Sequence, residues 1–170
     1  QNGGTLDLNG NNVNVGAFNG GPAAIIDNTN ATAATLTIGA GNGTGTFTGT
    51  IKNTSGALSL IKTGTGAITL GDLNGMSSLA FTGNLTVNTA GASGANVLTL
   101  AVPLADTAAT KINLGTATAG DTVQITYSGS TNMILNNRQI NLSGQSSATI
   151  TASGVNGLNG TPGVLVIDRK

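Results

Sequence analysis

Leu58-Ser59-Leu60-Ile61-Lys62-Thr63-Gly64-Thr65-Gly66-Ala67-Ile68-Thr69-Leu70 holds two apolar–polar–apolar triplets on either side of a glycine-bearing turn. Successive side chains of an extended chain point to opposite faces, so each triplet is a minimal β-strand with two apolar side chains on one face. The same unit recurs at Leu6-Asp7-Leu8, Val13-Asn14-Val15, Leu36-Thr37-Ile38, Leu85-Thr86-Val87, Leu98-Thr99-Leu100, Ile112-Asn113-Leu114, Val123-Gln124-Ile125 and Ile140-Asn141-Leu142. No stretch sustains a helical period instead.

The triplet starts fall near Ile25, Leu36, Phe47, Leu58, Ile68 and Leu79, and again at Ile112, Val123 and Ile134, a step of about eleven residues. One strand plus one turn fills such a step, in a sandwich as well as in a solenoid. Strand length separates the two, because sandwich strands usually run to ~5–6 residues, whereas solenoid coils stack short strands in register. Asn-Gly pairs at 2–3, 9–10, 19–20, 42–43, 74–75, 156–157 and 159–160 supply the positive φ angles of tight corners. The competing reading of these pairs is a type I′ hairpin turn between antiparallel strands. The Thr, Ser and Asn inside the triplets face water or form stacked ladders between coils without charge repulsion.

Only 7% of the 170 residues are charged and 2% aromatic, against about a quarter charged in ordinary domains. Disorder is the first alternative for a chain with 27 glycines. Against it, apolar residues reach 38%, fall in alternating clusters and are often β-branched, which suits a pleated, half-buried surface. Net charge is zero, with six cationic and six acidic side chains scattered singly. No basic patch offers itself to phosphates or anionic lipid, so nucleic acid is not an expected partner. Neutrality also removes the self-repulsion that opposes association. Cysteine is absent, which removes disulfides, thiolate metal sites and cysteine nucleophiles. No apolar run approaches the ~20 residues of a membrane-spanning helix. The start at Gln1 reads as a mature or excised segment.

The segments Gly4-Thr5-Leu6-Asp7-Leu8-Asn9-Gly10-Asn11-Asn12-Val13, Ala34-Thr35-Leu36-Thr37-Ile38-Gly39, Gly45-Thr46-Phe47-Thr48-Gly49-Thr50-Ile51 and 60–70 resemble the autotransporter-associated β-strand repeat family, the passenger repeats of bacterial surface and secreted proteins. The most specific element is Lys-Thr-Gly-Thr-Gly at 62–66 before an apolar-Thr-Leu strand. The resemblance covers about residues 4–75 and implies a right-handed parallel β-helix (β-solenoid), exported from a bacterial cell to its surface or the extracellular space. Gly71-Asp72-Leu73-Asn74-Gly75-Met76 departs from the pattern, standing where the family places an aromatic-bearing, Thr-rich turn. The whole chain, 1–170, then reads as one all-β solenoid domain with short strands and Gly/Asn turns. Residues 4–89 are its repeat-like part and 90–170 a divergent continuation. Within the latter, Gly120–Gly129 looks like a segment found after the last repeat of such proteins.

Parallel β-helices also carry polysaccharide lyases and glycosidases, whose chemistry needs paired carboxylates or a carboxylate with basic partners. The chain has no Glu and no His, and its six Asp (Asp7, Asp27, Asp72, Asp106, Asp121, Asp168) lie far apart in sequence. Coil stacking is able to bring Asp7 and Asp27 together, yet a solvated or turn-capping role is the default for each. There is no histidine base and no Gly-x-Ser-x-Gly elbow. Lys62 matches no phosphate loop and reads as a surface lysine. For calcium, Asp72 with Asn74, or Asp27 with Asn28 and Asn30, offers oxygen ligands, against an ordinary Asx-turn. The sequons at Asn84 and Asn141 are expected by chance in so Asn- and Thr-rich a chain. No catalytic, cofactor-binding or metal-binding residue is assigned, and no cofactor.

The functional expectation is a non-enzymatic, extracellular structural protein. The early strand at Thr5-Leu6-Asp7-Leu8 and the closing Gly163-Val164-Leu165-Val166-Ile167-Asp168 read as two uncapped edges that stack head to tail into a filament. The alternative is an adhesin or stalk module of a larger autotransporter-like surface protein that contacts glycans or host surfaces. A polysaccharide-acting β-helix enzyme comes third.

Overall fold

The computed structural model describes residues 3–72, 77–88, 94–107, 110–115, 122–142, 147–152 and 165–166. Its strands, in chain order, are β1 (Gly3–Asp7), β2 (Val13–Asn14), β3 (Ala23–Asp27), β4 (Ala34–Ile38), β5 (Gly45–Phe47), β6 (Thr50–Lys52), β7 (Leu58–Lys62), β8 (Ile68–Leu70), β9 (Ser78–Ala80), β10 (Leu85–Val87), β11 (Ala95–Leu100), β12 (Lys111–Leu114), β13 (Thr122–Tyr127), β14 (Met133–Ile134), β15 (Gln139–Leu142), β16 (Ser147–Ala152) and β17 (Leu165–Val166). A single 3-10 turn at Ala40–Asn42 interrupts them, and no α-helix occurs among the described residues.

Every strand pairing is parallel. The first sheet has the order β1-β3-β6-β9, the second β15-β12-β10-β7-β4-β2 and the third β16-β13-β11-β8-β5, with a short β14-β17 pair beside them. The chain thus visits one sheet after another and returns one strand higher, a β-solenoid of about five turns. The hairpin-sheet alternative is excluded among the described residues, because antiparallel neighbours would be required.

Register stacks like on like. Leu36, Leu60, Leu85, Ile112 and Ile140 form one inward file of the second sheet, and Phe47, Leu70, Leu100, Tyr127 and Ala152 one of the third. In the first sheet Leu6, Ile26, Ile51, Leu79 and Leu104 follow one another. Most of these side chains are fully buried, each contributing about 1.5–3 kcal/mol relative to exposure. Phe18 stacks on Phe47 with ring centroids 4.7 Å apart.

The polar positions of the triplets also align. Thr46, Thr69, Thr99, Thr126 and Thr151 occupy successive strands of the third sheet in one outward file, the stacked ladder expected from the sequence. Beside it on the same face run Val97, Gln124 and Thr149.

Corners are tied by side-chain oxygens that each accept a backbone N–H from the next turn of the solenoid. Asn12 takes Thr35, Asn42 takes Thr65, Asn53 takes Thr82 and Asn84 takes Lys111, all at 2.7–2.9 Å. These bonds satisfy backbone donors that a bent strand end leaves without a ladder partner. Of the described Asn-Gly pairs, Asn9-Gly10 has positive φ at both residues, at 46° and 77°, as the corner reading expects. At 42–43 only Asn42 does, at φ 62°, and at 19–20 neither residue does. The pairs at 74–75, 156–157 and 159–160 lie outside the described residues.

Candidate functional sites

Lys62 sits in the second inward file of the second sheet, in register with Ile38 on one side and Val87 on the other. The expectation of a surface lysine is therefore corrected: Lys62 is fully buried. The alternation of β7 decides this, since Leu58, Leu60 and Lys62 share the inward face. Its ammonium donates to the backbone oxygens of Thr63 and Gly64, each at 2.9 Å, and to Asn96 Oδ1 at 2.8 Å. Three donors thus meet three acceptors, which is how a buried cation is tolerated. Burial pulls the amine down from its ordinary value to about 8.

The Lys-Thr-Gly-Thr-Gly element folds its own carbonyls back over this amine. Gly64 takes φ 70°, and one turn earlier Gly39 leaves no room, since a Cβ there would stand 2.3 Å from the Thr63 oxygen. Asn96, fully buried on β11, fixes the far side by donating from Nδ2 to the backbone oxygens of Lys62 and Asn88. Asn88 keeps a buried Oδ1 without a hydrogen-bond partner in this cluster. The cluster joins β7 to β11 around one corner, and the amine faces protein oxygens rather than a cleft.

Asp7 and Asp27 are brought together as stacking allows, as register partners on β1 and β3. Each carboxylate is engaged by the next turn. Asp7 accepts from the Thr29 N–H and hydroxyl, which hold its carboxyl below the usual range. Burial pushes the Asp27 carboxyl up, but the Thr54 hydroxyl and N–H and the Lys52 ammonium, 3.0 Å away, outweigh it and hold it low. Two ionised carboxylates with separate donors do not share a proton, so this pair lacks the raised pKa of a general acid.

The Asp27, Asn28 and Asn30 oxygens are similarly committed. Asn28 Oδ1 accepts from Gly10 N–H at 2.9 Å while its amide donates to the Thr32 and Gly56 oxygens, and Asn30 Oδ1 accepts from Thr32 N–H. This is the Asx-turn reading extended across turns of the solenoid. For the other calcium candidate, Asp72 has a buried Oδ1 without a hydrogen-bond partner, and Asn74 lies outside the described residues, as do Asp121 and Asp168. No group of three or more metal-ligating side chains gathers among the described residues.

Arg138 was not singled out by its sequence context, yet it is 5% exposed. Its guanidinium donates to the backbone oxygens of Phe81, Gly83 and Ala105 at 2.7–3.0 Å and lies 5.6 Å from the Phe81 ring centroid. Asp106 receives the N–H groups of Asn136, Asn137 and Arg138. Burial lowers the Arg138 pKa and the Asp106 charge opposes that shift. A signal was present in the sequence only as a lone Arg among Asn residues, which does not distinguish a clamp from a solvated side chain.

Among the described residues, one open edge of the fold is its first rung. β1 ends its sheet, all five of its residues are exposed, and Leu6 heads the inward file at 36% exposure. Among the described residues, Ile134 on β14 and Leu142 on β15 are the other large exposed apolar side chains. Among the described residues no helix is long and apolar enough to cross a membrane. No family model, curated protein or solved structure matches this chain.

Proposed function

We propose that the chain is a non-enzymatic, extracellular structural protein, a β-solenoid subunit that stacks head to tail into a surface or extracellular filament. The observation that carries this reading is the open rung at β1, whose outward edge has no neighbouring strand among the described residues and whose Leu6 stands at the head of an otherwise buried file. An exposed edge of this kind pairs with another chain unless something blunts it. Its fifth residue, Asp7, is the only charge on β1. A heterologous contact of edge to opposite edge does not close and yields a fibre. Bacterial export and surface location rest on the resemblance of residues 4–75 to autotransporter-associated repeats.

The same rung supports a second reading, a stalk or adhesin module in which further coils of a longer chain continue the ladder and the polar faces meet glycans or host surfaces. Negative-stain electron microscopy with light scattering across concentration separates them. Thin unbranched fibres growing from monomer support the filament; a monodisperse rod one subunit long overturns it in favour of the stalk.

A further inference from the structure

The threonine file of the third sheet repeats one residue type on five successive strands, and its neighbours sharpen what it is able to meet. β5, β8, β11, β13 and β16 contain no charged residue, whereas the first sheet carries Asp7, Asp27 and Lys52 and the second carries Lys62 and Lys111. Parallel strands in register repeat every ~4.8 Å, so the file presents a hydroxyl and a methyl group at that interval five times over. β-branched side chains hold one or two rotamers at χ1, which keeps those groups at fixed positions. In the adjoining file Val97 and Thr149 add methyl groups of the same shape, and Gln124 between them donates to the Thr126 hydroxyl oxygen at 3.0 Å.

From this geometry we infer that the third sheet is a binding face for ice. A rigid, uncharged surface with a single translational repeat is complementary to a partner that is itself periodic and uncharged. The rung spacing is close to the repeat between equivalent oxygens in ordinary ice. Periodic polysaccharide is the competing lattice, but glycan surfaces are generally met by exposed aromatic platforms that stack on sugar rings. All four aromatic side chains of this chain, Phe18, Phe47, Phe81 and Tyr127, are buried. The hydroxyls supply hydrogen bonds to lattice waters while the methyl groups order the waters between them. The face runs along the solenoid axis, so stacking of subunits at their ends leaves it open and lengthens it. The inference is therefore independent of whether the subunit forms a filament.

The test is thermal hysteresis and ice-crystal shaping by the whole chain, wild type against two variants. Thr99→Lys places a charge at the middle rung of the file; Thr37→Lys places the same charge at an outward position of the second sheet. Far-UV circular dichroism and a urea midpoint confirm that each is folded. Wild type is expected to shape ice and produce hysteresis, Thr99→Lys to lose both, and Thr37→Lys to retain both. If Thr99→Lys unfolds, Thr99→Val, which keeps the branched shape and removes the hydroxyl, takes its place and is expected to weaken the effect. Absence of hysteresis in the wild type, or equal hysteresis in all folded variants, overturns the inference. Retention on crystalline cellulose or chitin without any effect on ice overturns it in favour of a polysaccharide lattice.

Discussion

Lys62 Nζ donates a 2.8 Å hydrogen bond to Asn96 Oδ1 across the corner between β7 and β11, with both side chains fully buried. Removing an acceptor of a buried ammonium leaves the charge short of a partner, whereas replacing the ammonium by an apolar side chain removes the charge but leaves its acceptors unpaired. Asn96→Ala is therefore expected to destabilise the fold by about 2–4 kcal/mol, and Lys62→Met, which removes the charge but leaves the Thr63, Gly64 and Asn96 oxygens without this donor, by about 1–2 kcal/mol. Urea midpoints check the ordering; a Lys62→Met variant that loses more than Asn96→Ala would mean that the ammonium itself organises the corner.

The same amine makes stability depend on pH in a direction opposite to that of a surface ion pair. Its folded pKa lies near 8, below the ordinary 10.5, so between these values the unfolded chain binds the proton and the folded chain does not. Stability should rise through this window, by about 3 kcal/mol if the whole shift is realised. Tyr127, whose phenol is raised by burial, acts with the opposite sign above about pH 10. The clean interval is therefore pH 8 to 10. Urea midpoints in that interval should climb for wild type and stay flat for Lys62→Met.

Much of the architecture was readable because the triplets are short and strongly alternating. Leu36–Ile38, Ile68–Leu70, Leu85–Val87 and Val123–Ile125 all lie in strands. The eleven-residue step, however, counts faces rather than turns of the solenoid. Ile25, Leu36 and Phe47 are on the first, second and third sheets, and the register partner of Leu36 is Leu60, 24 residues on. β6 concealed this, since Thr50-Ile51-Lys52 follows β5 after only Thr48 and Gly49 and contains one apolar residue. Lys62 and Arg138 were unreadable for a different reason. A lone cation carries no local mark of burial: Lys62 takes the carbonyls of the next two residues and the Asn96 side chain as acceptors, and Arg138 takes backbone oxygens of other turns. Asp7 and Asp27 were legible as neighbours but not as ionised, separately satisfied groups.

Arg138 ties the turns carrying β9–β10, Leu104 and β15 together through three backbone carbonyls. Truncation leaves those oxygens buried without donors and opens space against Phe81. Arg138→Ala is expected to cost about 3 kcal/mol or more, and Arg138→Lys to recover only part of it, because one ammonium does not reproduce the planar fork. Thermal melting with both variants checks this; equal melting temperatures for wild type and Arg138→Ala would show the clamp to be dispensable.

Gly49 and Gly41 separate close approach from backbone strain. A Cβ on Gly49 would sit 2.0 Å from the Ala24 backbone oxygen of the preceding turn, while one on Gly41 meets nothing within 4 Å but must adopt φ +62°. Strain of the latter kind costs about 1–2 kcal/mol. Gly49→Ala should cost more, since neither backbone is able to move without breaking the β3–β6 ladder. Chemical denaturation of the two variants orders them, and a smaller loss for Gly49→Ala would show that adjacent turns slide.

The open rung at β1 gives the filament reading its sharpest variant. Leu6 is already 36% exposed, so Leu6→Lys removes little existing burial and should lower monomer stability by only about 1 kcal/mol. Against an incoming strand the same change is severe, because a lysine in the inward file would need its charge desolvated without the three oxygens that serve Lys62. A lysine on an edge strand is also a recognised barrier to edge pairing. Light scattering and electron microscopy of Leu6→Lys should therefore show folded monomer at concentrations where wild type forms fibres. Fibres that grow unchanged from Leu6→Lys would place the joint elsewhere and remove β1 from the assembly.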